Sequence, residues 1–174
     1  MVLRTVDFPL ESATIGVLSD THIPSRAYYL PSSLFSIFAN AALILHAGDI
    51  VEENVLLELS ALAPVEAVAG NMDSLELRHK LGTAKIINFG RVSVGLFHGF
   101  GSRGATIKKA VDAFRDQQVD GVIFGHVHEP FIEKKDGLLL VNPGSVTDPR
   151  RGSKPSCALL HLEKGTLEGE IVEL

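Results

Sequence analysis

The sequence has 174 residues, 45% hydrophobic and 21% charged, with a formal net charge of −5, which suits one globular domain over 1–174 and excludes a disordered chain. The acidic balance disfavours a protein that coats extended nucleic acid through a broad basic surface. No apolar run reaches the ~20 residues of a membrane-spanning helix, and the opening Met1-Val2-Leu3-Arg4 stretch lacks the pattern of a secretory leader, so a cytoplasmic location is the default expectation.

Taken in chain order, Thr14-Ile15-Gly16-Val17-Leu18 is a short run rich in branched residues and predicts a buried strand. A helix is expected from Ser32 to Ala39 with Pro31 at its start, then a strand at Ala42–Leu45, a helix from Glu53 to Ala63 and a strand at Val65–Val68. Val92–Phe97 and Gly121–Phe124 predict two more strands. Between them Gly104 to Gln117 places Ile107, Ala110, Val111 and Phe114 on one helical face. Strands alternating with helices imply an α/β fold with parallel pairing. The last third changes character: Phe131–Lys134 and Leu138–Val141 flank the turn signal Lys135-Asp136-Gly137, and Cys157–Leu162 and Leu167–Val172 flank Lys164-Gly165, which predicts two hairpins. Two sheets packed face to face with helices outside accommodate both halves. Cys157 is the only cysteine, which excludes an intrachain disulfide and a cysteine-rich zinc module; its apolar setting predicts plain packing.

Five short segments carry the chemistry: Ser19-Asp20-Thr21-His22, Ala47-Gly48-Asp49, Ala69-Gly70-Asn71-Met72-Asp73, Phe97-His98-Gly99 and Gly125-His126-Val127-His128. Each alone is common by chance. Each, however, follows directly on an expected apolar strand, and ligands gather at that carboxyl edge in α/β sheets. Carboxylate, imidazole and amide oxygen together suit Mn, Fe, Zn or Ni. With Asp20 and Asp49 as the anionic ligands, two divalent cations would leave a net charge of about +2, enough to attract phosphate to an acidic chain.

These ordered segments resemble those of the calcineurin-like metallophosphoesterases from Thr14 to the final hairpin. The short length, Gly70-Asn71-Met72-Asp73 and Asn142-Pro143-Gly144-Ser145 are most similar to the compact bacterial and archaeal phosphodiesterase branch. The resemblance implies a four-layer αββα sandwich of two mixed β-sheets flanked by helices, holding two divalent metal ions, manganese foremost with Fe, Zn or Ni as alternatives. It implies that Asp20, His22 and His128 bind one ion, that Asn71, His98 and His126 bind the other, and that Asp49 bridges them. Asp49, Asn71 and His98 then carry the catalytic roles, with hydrolysis of a small phosphodiester by a hydroxide bridging the ions.

The chain departs from that pattern in two places. Many larger relatives carry a leaving-group acid, a His, directly after the metal-binding Asn; here Met72 stands there. Loss of such an acid costs ~10²–10⁴-fold with poor leaving groups, so diesters or activated leaving groups are expected over alkyl monoesters. Asp73 is either a partial replacement or a cap on the turn after Asn71. His98-Gly99-Phe100 replaces a His-Gly-His found in close relatives, which keeps the ligand and places Phe100 as an apolar or stacking surface. Arg150 and Arg151 are candidate phosphate clamps, with Arg26 and Arg103 weaker ones. His46 either orients Asp49 or simply ends its strand, and His79 and His161 fall outside every motif. Two alternatives remain: a protein-interaction scaffold similar to the small retromer subunit, in which ligand loss would be expected, and a nuclease subunit, which the acidic balance disfavours. Open edge strands would permit a homo-oligomer.

Overall fold

The computed structural model describes residues 3–174; Met1 and Val2, where the segment read for a leader begins, lie outside the described residues. The elements run β1 (Arg4–Asp7), β2 (Ser12–Leu18), α1 (Ser32–Ile37), β3 (Leu43–His46), α2 (Asn54–Ser60), β4 (Val65–Ala67), α3 (Leu75–Leu81) and β5 (Ala84–Phe89). They continue with β6 (Val92–Phe97), α4 (Arg103–Ala113), β7 (Gly121–Phe124), β8 (Pro130–Lys135), β9 (Leu138–Pro143), β10 (Ser156–Glu163) and β11 (Thr166–Glu173).

The strands form two mixed sheets, one ordered β1-β5-β6-β7-β9-β8 and the other β11-β10-β2-β3-β4. Parallel pairing joins β2 to β3, β3 to β4, β6 to β7 and β7 to β9, as the alternating pattern requires. Both expected hairpins form, each closed by a two-residue loop with positive φ at both positions: Asp136-Gly137 between β8 and β9, and Lys164-Gly165 between β10 and β11. That backbone twist matches the twist of the flanking strands.

Three apolar layers explain the stacking order. Ile15, Val17, Leu45, Val94, Leu96, Val141 and Leu160 fill the space between the sheets. Leu34 and Phe38 of α1, Val55 and Leu59 of α2 and Leu77 and Leu81 of α3 pack on the outer face of the β2 sheet, where Cys157 is also buried. Ala110 of α4 and the following Phe114 cover the outer face of the β6 sheet. The result is the four-layer αββα sandwich. Each fully buried Leu, Ile or Phe contributes roughly 1.5–3 kcal/mol, so this double-sided burial is what fixes the strand edges on which the site sits. No helix among the described residues is long and apolar enough to cross a membrane.

Three elements lie outside the sequence expectation: β1, α3 and β5. In β5 an apolar run is interrupted by Lys85, whose ammonium is largely buried and pairs with Glu66 Oε2 at 2.6 Å. The expected helices are also shorter than their apolar periodicity suggested, α4 ending at Ala113 and α2 at Ser60.

Candidate metal centre

The five segments meet at one place, because β2, β3 and β4 of one sheet and β6 and β7 of the other all end on the same side of the sandwich. Asp20, His22, Asp49, His126 and His128 all have positive φ, between 44° and 73°. This left-handed conformation costs a non-glycine residue roughly 1–3 kcal/mol, and the glycines beside these residues sit where a side chain would clash. A Cβ on Gly70 would lie 2.2 Å from Asp49 Oδ1, and one on Gly125 would lie 2.0 Å from Ser19 Oγ.

Two clusters result. In the first, Asp20, His22 and His128 are all buried, and their ligand atoms lie within 4.8 Å of one another. His128 Nδ1 lies 2.6 Å from the Asp148 carbonyl, which can only accept, so Nδ1 carries the proton. His128 Nε2 then faces Asp20 Oδ1 at 3.2 Å and His22 Nε2 at 3.2 Å. Asp20 Oδ1 is buried and makes no hydrogen bond among the described residues. A buried carboxylate oxygen and two imidazole nitrogens converging on one point are an arrangement that a proton or a cation satisfies.

The second cluster repeats the logic. His98 Nδ1 donates to the Ala47 carbonyl at 2.7 Å, which leaves Nε2 facing Asn71 Oδ1 at 3.2 Å and Asp49 Oδ2 at 3.3 Å. His126 Nδ1 lies 2.9 Å from the same Asn71 oxygen. Asp49 connects the clusters. Its Oδ1 accepts from Met72 N at 2.7 Å, while its Oδ2 lies 3.3 Å from His98 Nε2 and 3.6 Å from His22 Nε2, one in each cluster.

The titration behaviour follows from this crowding. Burial alone would raise the Asp20 carboxyl, yet the His128 and His22 imidazoles hold it well below the ordinary range. Asp49 is likewise lowered, against its own burial, by His98 and the Met72 amide. Burial would lower His98, but Asp49 and Asp20 raise it to about 9. A proton on His98 thus offsets the charge of the two carboxylates. His46 shows burial winning: its pKa falls to about 4.

Residues 14–165 match the calcineurin-like phosphoesterase superfamily domain. The chain belongs to that family. It is 41% identical over 162 residues to a probable metallophosphoesterase of Methanothermobacter thermautotrophicus, covering 91% of each chain. It is 30% identical to a phosphodiesterase of Methanocaldococcus jannaschii, over 86% of this chain and 93% of that one. Among solved structures, vacuolar protein sorting 29 from Cryptosporidium parvum superposes with a TM-score of 0.73 at 21% identity, covering 94% of this chain and 98% of that chain. Phosphoesterases of this family use divalent metals, and the two clusters offer donor sets that fit them.

The residues around the clusters divide clearly. Arg150 lines a cleft of about 280 Å³ together with His22, Asp49, Asn71, Met72, His126 and His128, and Arg26 shares it. Both guanidiniums pair loosely with Asp148 Oδ2, at 3.5 and 3.6 Å. Arg151 and Arg103 lie in the adjoining cleft and pair with Glu129 at 3.1 and 3.5 Å. Phe100 is half exposed beside His98. Asp73 is no free acid: its carboxylate accepts from the backbone N–H groups of Asp49, Ile50, Val51 and Gly70 at 2.7–3.1 Å, tying the loop after β3 to the loop after β4. The cap of α3 is Ser74, which accepts from Leu77 N.

Of the two readings of His46, the structure shows a buried strand end with ordinary hydrogen bonds, whereas the bracing contacts of Ser145 and Asn142 escaped sequence reasoning. Neutral His46 accepts from Gly48 N at 3.2 Å through Nδ1, and its Nε2–H is thereby directed to Thr21 Oγ1, also at 3.2 Å. Ser145 Oγ donates to the Asp20 carbonyl at 2.7 Å, and Asn142 Nδ2 donates to the Gly125 carbonyl at 2.8 Å. The segment Asn142-Pro143-Gly144-Ser145 marked the family, but nothing in its spacing says which loops it braces. His79 and His161 are exposed and away from the clusters.

Proposed function

We propose that this phosphoesterase hydrolyses small phosphodiesters with two divalent cations, Mn²⁺ foremost, in the clusters that share Asp49. The observation that carries the proposal is Asp49 Oδ2, placed between His22 Nε2 and His98 Nε2 with its second oxygen already held by Met72 N. Asp20, His22 and His128 would hold one cation and Asn71, His98 and His126 the other, with Asp49 on both. Cations bound there would make a shared water acidic enough to act as nucleophile near pH 7 and would offset charge on the phosphoryl oxygens.

The chain's own groups supply the rest. Asp148, through its carbonyl, and Ala47, through its own, fix the tautomers of His128 and His98. Arg150 and Arg26 present positive charge at the rim where phosphoryl oxygens would lie. Neither residue following Asn71 can protonate a poor leaving group: Met72 has no titratable group, and four amides saturate Asp73. This favours diesters and activated leaving groups over alkyl monoesters, and the relative named as a phosphodiesterase supports the same choice.

The test is a panel of diesters and monoesters assayed across Mn²⁺, Fe²⁺, Zn²⁺ and Ni²⁺, with isothermal titration of each metal. Asp49→Asn is expected to lower diester turnover by at least ~10²-fold while the fold persists by circular dichroism. Full activity in that variant would sink the shared-cation reading, and faster turnover of an alkyl monoester than of a bis-aryl diester would sink the diester preference. A second reading, a non-catalytic scaffold, is compatible with the fold shared with vacuolar protein sorting 29. A protein that binds no metal and cleaves no ester would remove the enzymatic reading in its favour.

A further inference from the structure

Beside Asn71 and His98 the surface opens into a second cleft of about 420 Å³, walled by Ala69, Gly70, Phe97 and Phe100 and closed by Thr83 and Arg78. The volume is within the range of small-molecule sites, roughly 300–1,000 Å³. Its walls are apolar, unlike the histidine- and arginine-lined cleft over the clusters, and the two are continuous through Asn71.

Two features select an occupant. Phe100 is held in place: Lys109 Nζ sits 3.4 Å from the ring centroid and donates to the Phe100 carbonyl at 3.1 Å. One face of the ring is taken by the cation, and the side chain as a whole remains 54% exposed at the cleft. Arg78 lines the same cleft and donates through Nη2 to the Asn71 carbonyl, which sets a guanidinium with further N–H donors in an otherwise apolar wall. An alkyl group would offer those donors no acceptor. A sugar would bring more hydroxyls than these walls can satisfy. A planar ring with one acceptor edge meets both demands.

We propose that this cleft binds one ester group of the substrate, and that the group is a planar heteroaromatic ring bearing a hydrogen-bond acceptor, the chemistry of a nucleobase. Phe100 is the stacking platform and Arg78 the donor. The proposal rests on the phosphodiesterase reading and narrows its substrate class.

Three diesters with a common 4-nitrophenol leaving group separate the possibilities: the thymidine 5′-phosphate, phenyl phosphate and ethyl phosphate esters, assayed with Mn²⁺. The expected order of kcat/KM is thymidine, phenyl, ethyl. Phe100→Ala should lower the thymidine-to-ethyl ratio about 10-fold, and Arg78→Met should lower the thymidine-to-phenyl ratio. Taking ratios removes any common loss from the Arg78 contact with Asn71. Independently, saturation-transfer NMR of thymidine 5′-monophosphate with chelated protein should mark the base H6 and methyl protons, and Phe100→Ala should abolish the signal. Base protons that receive no saturation, or ratios unmoved by both variants, overturn the cleft assignment. Marked base protons with no diester cleaved would instead leave the cleft standing and remove the phosphodiesterase reading.

Discussion

His98 shows how a single imidazole couples proton, cation and stability. In the metal-free protein its pKa is raised to about 9 by Asp49 and Asp20, against an ordinary value of 6.5. The stabilisation it provides is present in full below about pH 6.5 and is lost as pH rises through about 9. His46 works in the opposite sense, since burial lowers it to about 4 and its contribution is lost as pH falls below about 6.5. Chelated protein should therefore be most stable near pH 6–7 and lose on the order of 2 kcal/mol by pH 9, measured as urea midpoints. A cation displaces the His98 proton, so metal affinity should rise with pH over that same interval. A midpoint that increases from pH 7 to 9 in the chelated protein would contradict this account. That these Asp, His and Asn side chains gather at one place was legible in the sequence, because five such segments each follow an apolar strand. Tautomers were not legible, because they are set by the carbonyls of Ala47 and Asp148, which any residue could supply.

At the scale of elements, the loops after β3 and β4 act as one unit. Asp73 joins them through four backbone N–H groups, and it also opens the turn that Ser74 converts into α3. Removing a carboxylate that satisfies several buried donors strands each of them at about 1–3 kcal/mol. Asp73→Ala should thus cost at least about 4 kcal/mol in chemical unfolding and weaken metal binding in titration, although Asp73 touches no proposed cation position. A loss under about 1 kcal/mol would show that the loops hold their positions without it. Sequence reasoning allowed Asp73 two local roles and found neither, because its partners at Asp49, Ile50 and Val51 are more than twenty positions away. α3 was missed for a related reason. Ser74 and Gly82 are ordinary start and stop signals, but the seven residues between them include Glu76, Arg78, His79 and Lys80 and carry little apolar periodicity. β5 fell to the same effect at Lys85, whose partner Glu66 lies in the other sheet.

For the whole molecule, the decisive arrangement is that two sheets, not one, deliver the candidate ligands. Asp20 and His22 come from the β2 end of one sheet and His128 from the β7 end of the other, so each cluster spans the sandwich. Cation binding should then stabilise the assembly as a unit. At 100 times its dissociation constant, a cation bound only by the folded state contributes about 2.7 kcal/mol, which for a chain of this length is a rise of roughly 5–10 °C in Tm. Scanning calorimetry with Mn²⁺ should record a single shifted transition that EDTA reverses; an unshifted transition would mean that the clusters hold no metal. The layered architecture was readable from the order of apolar runs and two turn signals. The pairing of particular strands across the gap was not, since Leu45, Val94 and Leu160 are interchangeable as packing residues.

The left-handed backbone at five of the ligand positions has a consequence for how this protein could change over generations. Glycine would relax each of those positions, so a chain retained only for its shape would drift toward losing its ligands and gain stability by doing so. Loss of these side chains is therefore thermodynamically easy, and their return would require strain to be rebuilt at several sites together.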